Sequence, residues 1–446
     1  MPKNLNPQPL TLNSKSNLSP ELISDEIKFL IACCQTDPSE EDTEFILSYL
    51  STPLLSLSTI TSMASRHGIL PLVYKTLKKL QPVISDPIGD PDTGSTDSQT
   101  DNTITIHYHY HSLVTELKAH YQTIARRNML MSAELIRIMK LFEKNNIEAL
   151  AFKGPALAQM AYGDITLRQF ADLDILVNEN DLYRTAELIV SQDYDPMDSI
   201  TFLKNKAKLY VEKNYEFYGK KNGIKVEIHW RLINSSFLKK FRDYDVFATS
   251  EEVTINKTGI QTLDTKILLL YLCNHGASHM WERLEWIADI DRLVCREGKE
   301  LDWEEVLQLA STLQSRITLL LGLGLSHTLF HTALPAEILE QLNKPKITTL
   351  VSQIIHAFST DLITKDHTSH EKNFKVFLFH LSLQDSPGTK ASFILNTLFD
   401  YSDRDVMMVN LPKPLFFLYY PLRIVRIIDK YTLAPMKALF NKKRTD

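Results

Sequence analysis

The stretch LAFKGPALAQMAYGDITLRQFADLDILVNENDL, residues 150–182, decides the fold. Residues 147–152 and 173–177 are short apolar runs of strand length, and residues 155–161 between them read as a short helix. Side chains alternate across a strand, so Asp172 and Asp174 point to one face, near enough to share divalent cations. Hard oxygen ligands of this kind suit Mg²⁺, which is commonly held by one or two carboxylates together with substrate phosphates. Lys153-Gly154-Pro155 falls where strand passes into helix. There the glycine admits a phosphate close to the backbone, proline at the first turn sacrifices no needed N–H, and the helix start favours anions. Lys153 adds a cation, and Arg168, four residues before Asp172, can clamp a triphosphate with two hydrogen bonds.

Working outward, Tyr215–Tyr218 and the run 224–230 form a hairpin about Asn222-Gly223, a strong turn signal. The run contains VEIHW at 226–230, so Glu227 supplies a third carboxylate if its strand lies beside that of Asp172 and Asp174. Three such carboxylates make a two-metal phosphoryl-transfer site. A second small hairpin is expected over 253–263 and a helix over 179–191. Asp264 caps the run that follows, and nearly everything beyond it reads as six to eight helices, broken at Gly298, Pro335, Pro345, Ser386-Pro387 and Pro412. On the other side, 21–34, 40–50 and 60–80 read as helices, and 111–145 as a long amphipathic one. Residues 85–103 carry five aspartates and no lysine or arginine, the composition of a solvated loop. The fold class is thus α+β, a small mixed core over 145–263 between an N-terminal helical region, 21–144 with an acidic insertion at 84–103, and a larger helical region, 264–446. Residues 1–20 are expected to be disordered.

Composition excludes several alternatives. The 446 residues include only 13 glycines, and no G-x-G-x-x-G or G-x-x-x-x-G-K-[ST] pattern can be written with them. The formal net charge of -5 offers no global basic field for nucleic acid. Four cysteines without a C-x-x-C spacing read as reduced thiols of a cytoplasmic protein. The polar N-terminus lacks the apolar core of a secretory signal, and no apolar run reaches membrane-spanning length.

The order KG, YGD, LR, DLDIL and VEIHWRL resembles the uncharacterised nucleotidyltransferase family of bacterial proteins, with the polymerase beta-like fold. RHGILPLVYKTL (66–77), HGASHMWERLEWIADIDRLV (275–294) and PLFFLYYPLRIVR (414–426) extend the resemblance over most of the chain. It implies transfer of NMP from an NTP, as in ATP-binding members, to an acceptor such as a small molecule, peptide or protein. Asp172 and Asp174 match the metal-binding D-x-D, Glu227 the third acidic residue, and Gly154 the glycine that opens the phosphate-binding helix. The expected metal ligands and catalytic residues are therefore Asp172, Asp174 and Glu227, with two Mg²⁺ ions. Lys153, Gly154 and Arg168 are expected at the nucleotide phosphates. One departure stands out: Pro155 occupies the place of the family's serine.

Each motif has a plainer reading. A lone D-x-D is more often a turn, but flanked by Phe170, Leu173 and Ile175 it buries charge that calls for a metal or basic partners. Glu227 can pair with Lys225 or Arg231, and Lys153 and Arg168 with the aspartates. His275 and His279, one helical turn apart, fit packing or substrate contact better than metal ligation, for want of a third ligand. Asp289 can pair within the helical region. His107 to His111 alternates His and Tyr like a strand at a surface edge. The basic, aromatic C-terminal tail fits a packed helix better than a helix lying on an anionic membrane.

Overall fold

The computed structural model describes residues 23–52, 55–85, 97–233, 239–242, 244–359, 370–409 and 411–428. A five-stranded mixed sheet, in the order β1-β2-β5-β4-β3, is built from β1 (Ala149–Ala151), β2 (Asp172–Val177), β3 (Tyr194–Pro196), β4 (Asn214–Gly219) and β5 (Lys225–His229). Strands β2 and β5 run parallel, while β1–β2, β4–β5 and β3–β4 are antiparallel. A separate hairpin joins β6 (Glu251–Ile255) to β7 (Thr258–Thr262). Alternation places Leu173, Ile175 and Val177 of β2 and Val226 and Ile228 of β5 in the core.

Five helices precede the sheet: α1 (Asp25–Cys33), α2 (Glu40–Leu50), α3 (Leu57–Arg66), α4 (Leu70–Ser85) and α5 (Asp97–Lys144). Three of these differ from the sequence expectation. The run 60–80 is not one helix, because Gly68 adopts φ +74° and ends α3 before α4 begins. The long helix starts at Asp97, inside the expected acidic loop, of which residues 86–96 lie outside the described residues. His107 to His111 is therefore helical, not a strand edge. Tyr110, Leu113 and Leu117 continue the buried helical stripe, and the Tyr110 hydroxyl donates to Leu77 O at 3.1 Å. The expected disorder of 1–20 also lies outside the described residues.

Short helices α6 (Gly154–Leu157), α7 (Leu182–Val190), α8 (Lys206–Val211) and α9 (Lys239–Arg242) decorate the sheet. Asp264 caps α10 (Thr265–Ser278), its carboxylate accepting from the amides of Lys266 and Ile267. Then follow α11 (Leu284–Glu297), α12 (Trp303–Thr312), α13 (Arg316–Phe330), α14 (Ala336–Leu342), α15 (Pro345–Ser359), α16 (His370–Ser382), α17 (Pro387–Phe399), α18 (Asp403–Met408) and α19 (Tyr419–Ile428). One hydrophobic core runs from the N-terminal helices through the sheet into α16, including Phe29, Phe142, Phe152, Ile175, Trp281, Leu321 and Phe379. A smaller cluster of Ala207, Tyr401, Val406 and Tyr419 seats the last helices on α8. Among the described residues no helix is long and apolar enough to cross a membrane. The basic tail beyond 428 lies outside the described residues.

Candidate active site

The parallel register of β2 and β5 sets Asp172 against Lys225 and Asp174 against Glu227. His229, two residues beyond Glu227, projects from the same face. A carboxylate oxygen of Asp174, one of Glu227 and a ring nitrogen of His229 all lie within 4.8 Å of one another. His229 Nε2 is 3.0 Å from Asp174 Oδ1 and 3.4 Å from Glu227 Oε2. Asn214, across the β4–β5 pair, donates its amide to Glu227 Oε2 at 2.7 Å. Lys225 Nζ lies 3.0 Å from Asp172, 3.8 Å from Glu216 and in contact with Glu227.

Burial taxes these charges and their partners repay the tax unevenly. Burial works to raise Asp174, but Lys153 and the hydrogen bond with His229 hold its carboxyl well below the usual range. Glu227 is likewise opposed by burial and brought down to about 2, chiefly by His229 and Lys225. Asp172 goes the other way, raised by burial and the charge of Asp174 against the help of Lys225. The set of one buried carboxylate, one half-buried carboxylate and a buried imidazole fits a divalent cation, since the donors converge and carry negative charge.

Lys153 ends the chain's passage from β1 into α6. Its Nζ is 3.9 Å from Asp174 Oδ1 and 5.5 Å from the centre of the Tyr271 ring. Gly154 takes φ +53°, and a Cβ there would stand 3.1 Å from the backbone oxygen of Asp172, so the turn lies hard against β2. The helix that follows is only four residues long and continues as a wider π-helical turn, Ala158–Tyr162.

Arg168 does not face the aspartates of β2. Its Nε and Nη2 reach the two oxygens of Asp289 at 2.8 and 2.9 Å, and Glu285 lies 3.5 Å away. Tyr162 donates its hydroxyl to the same Asp289 at 2.8 Å. Asn128 of α5 holds the loop from the other side, donating to Ile165 O and Arg168 O at 2.7 and 2.8 Å. Arg168 and Asp289 thus clamp the segment that feeds β2 onto α11.

His275 and His279 flank Trp286, each with ring centres 5.3 Å from it and 4.8 Å from each other. Tyr271 stacks on His275 at 5.8 Å and links this aromatic group to Lys153. Burial, then the charges of Lys153 and His279, push His275 well below the usual imidazole range. Burial with Lys213 and Lys153 brings His279 to about 4. Both rings are therefore neutral near pH 7.

Sequence reasoning missed His229, Asn214 and Lys213 as members of the site, and Lys225 pairs with Glu227 as its plainer reading expected. Lys213 precedes β4, and burial and Lys153 lower its pKa while Asp174 and Glu227 act to raise it. The signal for these residues was present: period-two alternation from Glu227 leads to Lys225 and His229, and counting back from the Asn222-Gly223 turn pairs His229 with Asn214.

No curated protein and no solved structure matches the chain. A family model described as uncharacterised nucleotidyltransferase matches residues 55–331, more than half of the chain and the whole of the five-stranded sheet. The chain therefore belongs to the uncharacterised nucleotidyltransferase family.

Proposed function

We propose that the chain transfers NMP from an NTP to an acceptor, with Asp172, Asp174 and Glu227 as the catalytic carboxylates and a divalent cation held among them. The observation that carries this reading is the pairing of Asp174 with Glu227 across parallel strands, with Lys153 beside them. A divalent cation, if bound there, would supply neutralisation of phosphate charge and of the charge on the attacking and leaving oxygens. Asp174 and Glu227 would hold it, and two ions would need Asp172 as well. Lys225 already neutralises Asp172 and Glu227, so an ion on that side must displace its ammonium.

The chain's own residues divide the remaining work. Lys153 sits where a phosphate approaching the cation would meet it, held there by the Gly154 turn that packs against β2. Asp172 is the most exposed of the three carboxylates, at 31% against 4% for Asp174, and its pKa is the one moved upward. It fits the role of accepting the acceptor's proton better than Glu227, which is held low. Arg168 serves as a positioning residue for the loop before β2, not as a phosphate clamp. Neutral His275 and His279, packed edge-on and tilted about Trp286, offer an aromatic group for the base or the acceptor.

A second reading, a protein that binds nucleotide without transferring it, is favoured by Lys225 in the carboxylate cluster and by Pro155 in place of a serine. Incubation with each α-labelled NTP, Mg²⁺ and cell extract, beside the Asp172→Ala/Asp174→Ala variant, separates the two. Label on an acceptor above the variant's level supports transfer. Nucleotide binding by folded protein without labelling supports the second reading.

A further inference from the structure

We infer that His229 is a metal ligand, so that Asp174, Glu227 and His229 form a mixed oxygen and nitrogen site preferring a first-row transition-metal cation over Mg²⁺. The inference rests on the proposed role of these carboxylates in holding a cation. It adds an imidazole to that donor set and so narrows the class of ion.

The geometry comes first. Neighbouring ligands of an ion held at about 2.1 Å lie about 3.0 Å apart in octahedral and about 3.4 Å apart in tetrahedral coordination. His229 Nε2 stands 3.0 Å from Asp174 Oδ1 and 3.4 Å from Glu227 Oε2. The imidazole is directed at the gap between two carboxylates that face each other on parallel strands. A ring that merely oriented one aspartate would have no need to lie so near the second.

Its surroundings fix the ring there. His229 is 2% exposed and meets Phe152 edge-on, with centres 5.0 Å apart. Its Nδ1 is buried with no hydrogen-bond partner among the described residues. Giving the Nε2 lone pair to a cation moves the proton to Nδ1, so it gives up the Nε2–H hydrogen bond to Asp174 and breaks none at Nδ1. The site's other flank is closed by Lys225, which binds Asp172 and Glu227. The converging donors left beside it are one nitrogen and two carboxylates, and imidazole nitrogen favours first-row transition metals where Mg²⁺ favours oxygen alone.

The test uses the full chain and Mn²⁺, whose electron spin reports directly bound nitrogen. Wild-type protein is expected to bind Mn²⁺ and to show pulsed-EPR modulation from one imidazole nitrogen, converted to the ¹⁵N pattern when histidine is ¹⁵N-labelled. His229→Asn should abolish that modulation and weaken Mn²⁺ binding at least ten-fold, with Mg²⁺ binding changed less than three-fold, while His275→Gln keeps the modulation. The labelling arm needs no variant, so misfolding of His229→Asn cannot mask the answer. Mn²⁺ bound in wild type, lost in Asp174→Asn, but without nitrogen coupling would overturn the inference and leave the carboxylate reading standing. No Mn²⁺ binding, or binding indifferent to Asp174→Asn, would overturn both.

Discussion

Asp174 and Glu227 stand opposite each other on two parallel strands that are far apart in sequence, with His229 Nε2 3.0 Å from the first and 3.4 Å from the second. Parallel pairing requires a crossover. The chain passes through α7, β3, α8 and β4 on that crossover, and the two carboxylates meet only when β5 has returned beside β2.

Lys153 is one of the groups that keep Asp174 ionised despite full burial. Lys153→Ala should weaken NTP binding about ten-fold, as expected for losing one charge-assisted contact of roughly 1.5 kcal/mol. NTP binding by Lys153→Ala equal to that of wild type would separate Lys153 from the nucleotide phosphates.

The Arg168–Asp289 pair lies at 6% and 0% side-chain exposure, so breaking it strands a buried charge. Asp289→Asn should cost about 3–5 kcal/mol in urea unfolding. Arg168→Leu/Asp289→Leu should be less destabilised than Asp289→Asn, since it removes both charges of the pair and Glu285 keeps Arg283. Equal losses in the two proteins would show that packing, not charge, dominates there.

Glu285 is raised from 4.5 to about 7 by burial, only partly countered by Arg168 and Arg283. The folded chain thus holds a proton that the unfolded chain has lost between about pH 4.5 and 7, and this group's contribution to stability falls as pH rises through that window. The Tm of Glu285→Gln relative to wild type should accordingly become more favourable from pH 5 to pH 8. A difference that is flat with pH would contradict the raised pKa.

Gly154 and Gly223 both adopt positive φ, but only Gly154 has a neighbour waiting for a Cβ. Gly154→Ala should lose about 1–3 kcal/mol and most of the activity, because the turn must move off β2 and take Lys153 with it. Gly223→Ala, with open space around it, should lose about 1 kcal/mol and keep its activity. Parallel thermal melts and turnover assays on the two proteins check this.

The sheet strands that carry chemistry were legible because they obey local rules. Alternation marks Asp172 and Asp174, and the Asn222-Gly223 turn marks β4 and β5. Strand β3 was not legible: Tyr194–Pro196 is three residues long and includes a proline, so it has no periodicity to read. The helical state of His107 to His111 was lost to a local His–Tyr alternation that suits a strand, and only the stripe Tyr110, Leu113, Leu117 argues for helix. Arg168 shows a different limit. Its sequence neighbours are the aspartates of β2, yet its partner Asp289 is 121 residues away, a pairing that depends on how α11 packs.

The central claim is that Asp174 and Glu227 serve nucleotidyl transfer. The most direct measurement gives the chain, a divalent cation and the acceptor-containing extract the same NTP labelled at either the α or the γ phosphate. Nucleotidyl transfer at these carboxylates puts α label on the acceptor, releases γ label in pyrophosphate, and loses both signals in Asp174→Asn. Transfer of γ label to the acceptor, or α transfer undiminished in Asp174→Asn, would contradict it.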